Sequence, residues 1–323
     1  MQDEFQIIDF IKDFFASPFI GDDAAVIPLN DKENIVISKD ILIENIHFIL
    51  NSNLSHIGSK SLISNLSDII AMGIEPKYFF LGLGVPDCFS IDDLSNLLNG
   101  VRIISKKYNV VLAGGDTSGA ERLSISVTVV GFGGKDRIIY RHGAELGDYI
   151  YVTGNLGDSE IGLRIIKGDL NFEQRLSEYF VNCHYIRELY PEFISFLSFK
   201  KLINSMIDIS DGFLQDLNHI LFQSKKRARV DETLIPVSKE FRTIISKLGN
   251  NALTIPLTSG EEYQIIFTAP PSNHADIMSY AENFSVKVTK VGEITDNGLL
   301  GKQNIKLKNL EIEKINKLGY SHF

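Results

Sequence analysis

Aspartate is the residue type in this chain whose placement points to chemistry. Five short segments set it beside glycine, serine or a helix start: Gly21-Asp22-Asp23-Ala24-Ala25, Ser38-Lys39-Asp40, Asn65-Leu66-Ser67-Asp68, Gly114-Gly115-Asp116-Thr117 and Asp208-Ile209-Ser210-Asp211-Gly212. Taken singly, most have an ordinary explanation, because Asp after glycine favours an Asx turn and Ser or Asp before a helix caps it. Asp68 is less ordinary: flanked by Leu66, Ile69 and Ile70 on a helical pattern, its carboxylate risks losing water. Taken together, the five segments suggest a carboxylate cage. Gathered carboxylates repel one another and hold protons unless hard cations sit among them. Mg²⁺ suits such a cage, since it takes oxygen ligands, keeps waters and joins protein to substrate phosphates. Gly114 and Gly115 read as a turn where bare backbone can approach a phosphate.

Several other chemistries are excluded. There is no GxxxxGK[ST] phosphate loop, no GxGxxG after a strand, no HExxH, no GxSxG and no kinase-type HRD and DFG pair. The seven histidines show no metal-ligand spacing, and Cys88 and Cys183 have no CxxC partner, so a zinc site or disulfide framework is not expected.

The elements that must position the aspartates alternate between strand and helix. Residues 34–38, 76–83 and 110–112 read as strands, and 122–132 as a long one. Leu62, Ile63, Leu66, Ile69 and Ile70 form a helical stripe that Gly73 should end, and a second helix is expected over 91–107. After an irregular stretch at 135–147, residues 148–152 form a strand leading into a turn at Gly154–Gly157. Helical patterns continue to about 198. A helix after Gly212 places Phe213, Leu214, Leu217, Ile220 and Leu221 on one side, and strands follow near 228–230, 262–268 and 285–293, with a helix between the last two. The fold class is α/β (α+β), with two domains expected at 1–140 and 141–323.

The chain's 323 residues are 44% hydrophobic and 23% charged, which is enough to bury a core and excludes a disordered protein. A net charge of −9 argues against nucleic acid or an anionic membrane as partner. The acidic start and the lack of a long apolar run point to a soluble, cytoplasmic protein.

The motif segments carry a family resemblance. GDDAAV (21–26), SKDILIENIHF (38–48), NLSDIIAMGIEP (65–76), GGDTSG (114–119), DISDGFLQDLNHI (208–220), SGEEYQIIFT (259–268) and the final Gly319-Tyr320-Ser321-His322-Phe323 stand in family order and spacing. On these residues the chain resembles the thiamine-monophosphate kinase family, within the aminoimidazole ribonucleotide synthetase-like ATP-binding superfamily. The resemblance implies ATP-dependent phosphorylation of thiamine monophosphate to thiamine diphosphate. It implies Mg²⁺ held by Asp23, Ser38, Asp40, Asp68, Asp116, Asp208 and Asp211. ATP would be contacted by Tyr108, Gly115, Asp116, Arg141 and Ser210, and thiamine monophosphate by His47, Glu261 and Tyr320. The implied fold is an N-terminal sheet domain that forms a homodimer and a C-terminal α+β domain, with nucleotide between them. Another ATP-using member with a different small substrate, or a non-catalytic module binding nucleotide and Mg²⁺, are the alternatives.

The chemistry accounts for these residue types. A phosphate monoester has a second pKa of about 6, so the acceptor is largely dianionic and needs no general base. The obstacle is the meeting of about six negative charges, which metal ions cancel while fixing orientation. Four positions depart from the family pattern: Lys39 in place of Thr, Glu262 and Gln264 in the usual GGEDYE, and Tyr320 in place of Trp. Lys39 either stands outside the cage or replaces part of a cation's charge.

Overall fold

The computed structural model describes residues 4–50, 53–297, 304–312, 315 and 318–320; Ser321, His322 and Phe323 of the terminal motif lie outside the described residues. The first half runs α1 (Glu4–Phe15), β1 (Ala25–Pro28), β2 (Glu33–Ile43), α2 (Leu54–Ala71), β3 (Pro76–Val85), α3 (Ile91–Lys107), β4 (Val111–Gly119) and β5 (Ser124–Gly134). Its five strands form one sheet in the order β1-β2-β5-β3-β4, parallel only between β3 and β4.

The second half runs β6 (Tyr149–Thr153), α4 (Asp158–Ile166), α5 (Gln174–Tyr185), α6 (Pro191–Phe199), β7 (Ser205–Asp208), α7 (Phe213–Ser224), β8 (Lys226–Val230), α8 (Lys239–Leu248), α9 (Ile255–Thr258), β9 (Ile265–Ala269), α10 (His274–Asn283), β10 (Val288–Asn297) and β11 (Ile305–Leu307). These strands make a six-stranded sheet in the order β11-β8-β10-β6-β9-β7. Among the described residues no helix is long and apolar enough to cross a membrane.

Helix α2 is the axis of the molecule. It gives Leu62, Ile63, Leu66 and Ile70 to the core, and Ser59, Ser61, Asn65 and Ser67 are buried as well. A helix buried all round must satisfy its polar side chains internally. Ser59 and Ser61 do so by donating to the carbonyls of Ser55 and Gly58, each at 2.9 Å. The helix packs against the first sheet, α3, α5, α6 and β7, so it touches both halves. The helix expected over 91–107 is α3, opened by a capping box between Ser90 and Asp93. The stripe expected after Gly212 is α7, with all five of its named apolar residues buried.

Two readings are corrected. Gly114 and Gly115 do not make a turn but lie inside β4, where pairing to β3 imposes extended backbone on a segment of poor strand formers. A Cβ at Gly115 would lie 1.9 Å from the Leu81 carbonyl, so glycine answers to close strand approach there. Ser38 and Asp40 are not at a strand end but within β2, which continues to Ile43.

Candidate active site

Strand alternation turns Ser38 and Asp40 toward α2 and leaves Lys39 and Ile41 on the opposite face. Ser38 Oγ donates to Asp68 Oδ2, and the Asp40 backbone N–H donates to Asn65 Oδ1 at 2.9 Å. One turn of α2 thus fixes both β2 residues. From the same turn Ser67 Oγ donates to Asp208 Oδ2 at 2.7 Å, reaching the last residue of β7 in the second sheet. Asp23, just before β1, accepts from Arg141 Nη2 at 2.5 Å and Nε at 3.0 Å. Asp22 accepts from the Arg141 backbone N–H at 3.2 Å. Asp23, Asp40, Asp68 and Asp208 therefore come from four segments to one place, with Arg141 at its side.

The electrostatics reflect the crowding. Burial holds the Asp68 carboxyl well above the usual carboxylate range, and the charges of Asp40, Asp208 and Asp23 push it further. Burial and Asp23 raise Asp208 to about 8, against the pull of Ser67 and Arg141. Burial and then Asp23 raise Asp22 to about 7. Asp23 Oδ2 is buried with no hydrogen-bond partner. An orphaned carboxylate oxygen in an all-oxygen donor set fits Mg²⁺.

These shifts predict a pH effect. Asp22 and Asp208 ionise less readily in the folded chain than unfolded, so without metal the folded state holds the extra protons and loses stability as pH rises from about 4 to about 8. The melting temperature of Mg²⁺-free protein is expected to fall across that window, and added Mg²⁺ to raise it more at the alkaline end. An Mg²⁺ increment that does not grow with pH would remove Asp208 from the binding set.

The loop before α7 has its own organisation. Asp216 Oδ2 accepts the backbone N–H groups of Ser210, Asp211 and Gly212 at 3.1, 3.1 and 2.9 Å. The helix is thus capped from within, and neither Ser210 nor Asp211 is its N-cap. Asp211, Asp216 and His219 bring ligand atoms within 4.8 Å of one another. Gln215 Nε2 donates to Asp211 Oδ2 and to the Tyr320 carbonyl, each at 3.0 Å, and the Tyr320 N–H donates to the Asp211 carbonyl at 2.9 Å. The C-terminal tail is therefore fastened to this loop.

His47 and Glu261 meet through a residue that sequence reasoning missed. Lys60 of α2 contacts Glu261 Oε1 at 2.5 Å and the His47 carbonyl at 3.0 Å. A lysine among buried serines and leucines on a central helix was the available signal. Glu262 and Gln264 turn to structural tasks. Glu262 pairs with Arg187 at 2.6 Å and accepts the Gly157 N–H at the start of α4, while Gln264 accepts from Thr153 Oγ1. Lys39 Nζ reaches Ser126 Oγ at 2.6 Å on the far face of β2.

Three residues stand apart from the aspartate cluster. The Tyr108 hydroxyl, at the end of α3, accepts the Leu189 N–H at 2.9 Å. Gly115 and Asp116 lie on β4, an edge strand exposed along its whole length. Register relates Asp40 to Gly115 through Val127 and Leu81, three strand spacings or roughly 14 Å away.

Two α/β units meeting over a buried oxygen cage define a class. Residues 21–133 match the N-terminal domain of the AIR synthase related proteins, and residues 145–301 match their C-terminal domain. A thiamine-monophosphate kinase of Buchnera aphidicola is 35% identical over 277 residues, 85% of this chain and 84% of that one. That of Escherichia coli K12 is 34% identical over 85% of this chain and 83% of its own. A solved structure described as AaThiL complexed with AMPPCP and TMP superimposes with a TM-score of 0.87 at 28% identity, covering 99% of this chain and 97% of that one. The chain belongs to the thiamine-monophosphate kinase family.

Proposed function

We propose that this chain transfers the γ-phosphoryl group of ATP to thiamine monophosphate, giving ADP and thiamine diphosphate. The carrying observation is the buried meeting of Asp23, Asp40, Asp68 and Asp208 beside Arg141, with an oxygen of Asp23 left unpartnered. The relative solved with AMPPCP and TMP supports the pair of substrates. In the transfer, the bond from the γ-phosphorus to the bridging oxygen breaks as one forms to an acceptor phosphate oxygen, and the electron pair leaves with ADP. The acceptor oxygen is already deprotonated, so no general base and no phospho-enzyme are assigned.

Mg²⁺, when bound, neutralises phosphate charge and fixes the reacting oxygens in line. Asp23, Ser38, Asp40, Asp68, Asp208 and Asp211 are the residues to hold it. Arg141 and Ser210 face the nucleotide in this reading, and Arg141 adds charge-assisted hydrogen bonds. His47, Glu261 and Tyr320 receive the acceptor. Only the family resemblance assigns Tyr108 to the nucleotide, because its hydroxyl is engaged with the Leu189 N–H away from the cage.

Gly115 and Asp116 enter by way of a homodimer. The face of the first sheet that carries Ile41, Tyr78, Phe80 and Phe132 is exposed, and β4 is an uncovered edge. Such a face and edge favour pairing with a second copy. The pairing brings Asp116 of the partner subunit toward the cage. The division at 140/141 goes with this reading, since Arg141 sits in the segment joining the two sheets. Two free cysteines go with the reducing cytoplasm.

The test is a purified-protein assay with ATP, Mg²⁺ and thiamine monophosphate, following thiamine diphosphate by chromatography, with free thiamine as parallel acceptor. Mg²⁺-dependent product from the monophosphate alone is expected. A folded, ATP-binding protein that makes none would shift the reading to another acceptor or a binding module. Tyr320→Ala should raise the acceptor KM with little change in the ATP KM; an unchanged acceptor KM would leave Tyr320 as an anchor of the tail.

A further inference from the structure

Lys60 is among the largest fully buried side chains, with 1% of its side chain exposed. A buried ammonium is costly unless each hydrogen finds an acceptor. Here there are three: Glu261 Oε1 at 2.5 Å, the His47 carbonyl at 3.0 Å and His184 Nε2 at 3.2 Å. Because an ammonium only donates, His184 Nε2 accepts, and its proton is on Nδ1, facing Ser159 Oγ at 3.2 Å. Burial and the Lys60 charge hold the imidazole neutral, with its pKa lowered to about 3.

Glu261 is fixed twice over. Its backbone sits at φ +57, a left-handed conformation unusual outside glycine, and its N–H donates to the Ser210 carbonyl at 2.7 Å. Its side chain gives one oxygen to Lys60. The other, Oε2, lies 3.7 Å from His184 Nε2, which carries no proton to offer it.

We propose that Lys60 is the positioning residue of the acceptor subsite, clamping Glu261 by one oxygen so that Oε2 meets a cationic or N–H-bearing ring of the acceptor. This rests on the reading of Glu261 as an acceptor contact and deepens it. Lys60 and Asp68 stand on one helix, eight residues or about 12 Å of rise apart. A single rigid element thereby sets the separation between the acceptor subsite and the metal cage.

The experiment is a double-mutant cycle with Lys60→Met, Glu261→Gln and their combination, each checked for folding by Mg²⁺-dependent AMPPCP binding. Loss of a charged hydrogen bond predicts an acceptor KM raised roughly 10- to 100-fold in Lys60→Met. The ATP KM and kcat should stay within about threefold. The combination should be no worse than Glu261→Gln alone, because Lys60 acts through Glu261. Additive losses, or equal rises in both KM values, would overturn the clamp. If Glu261→Gln raises the acceptor KM and Lys60→Met does not, only the role of Lys60 fails. If Glu261→Gln leaves it unchanged, the acceptor reading of Glu261 fails too. Should Lys60→Met not fold, the wild-type protein still decides: ¹⁵N shifts of the His184 imidazole should show an unprotonated Nε2 at neutral pH, and a protonated Nε2 would sink the proposal.

Discussion

Asp68→Asn is expected to lower turnover roughly 100- to 1000-fold, the scale seen when one preorganised electrostatic group is removed from a reacting centre. Asp68 has the most crowded position in the cage, with Asp40, Asp208 and Asp23 all raising its pKa. Asparagine keeps its size but removes the charge that a cation needs. The same change relieves repulsion in the metal-free protein, so its melting temperature without Mg²⁺ should stay level or rise. Activity then falls while metal-free stability does not, which simple misfolding cannot produce. Steady-state kinetics and Mg²⁺-free melting on one preparation check both. Near-normal turnover at saturating Mg²⁺ would take Asp68 out of the metal set.

Asp116→Asn should cost turnover on the same scale with the fold intact, since the residue is exposed on β4 and its carboxylate is bonded locally to the Thr117 N–H at 2.9 Å. Its distance from the cage within one chain makes the decisive experiment a mixing one. If Asp116 serves the neighbouring subunit, Asp116→Asn and Asp68→Asn chains are each inactive but complement when dissociated and reassociated together. Half the pairs are then mixed, and one of the two sites in each is whole, so about a quarter of wild-type activity should return. A mixed dimer without recovered activity would put Asp116 in its own chain's site. A monomer in solution would remove the pairing altogether.

Much of the cage is legible in the sequence as five aspartate segments taken together, although most of them singly look like ordinary turns or caps. Asp68, flanked by Leu66, Ile69 and Ile70, is expensive wherever that helix is buried, and α2 is buried along most of its length. Helix α7 follows from the apolar periodicity after Gly212, and α3 spans the 91–107 expected for it. The segment at 114–115 misleads because glycine signals a turn locally, whereas the pairing of β4 to β3 is a contact between distant residues. Ser210 and Asp211 look like caps by the same local logic, yet Asp216, six and five residues on, holds their backbone N–H groups.

Lys60 illustrates what no spacing rule could supply. Its acceptors are the His47 carbonyl, His184 and Glu261, scattered over more than half the chain. The residue types and their order determined the family, the carboxylate inventory and the helices that carry it, because these depend on near neighbours and on composition. Which carboxylates share a site, which oxygen of Asp23 is left without a partner, and why Asp116 lies apart depend on strand register and on α2 passing between two sheets. Those are long-range packing choices, and only the tertiary structure decided them.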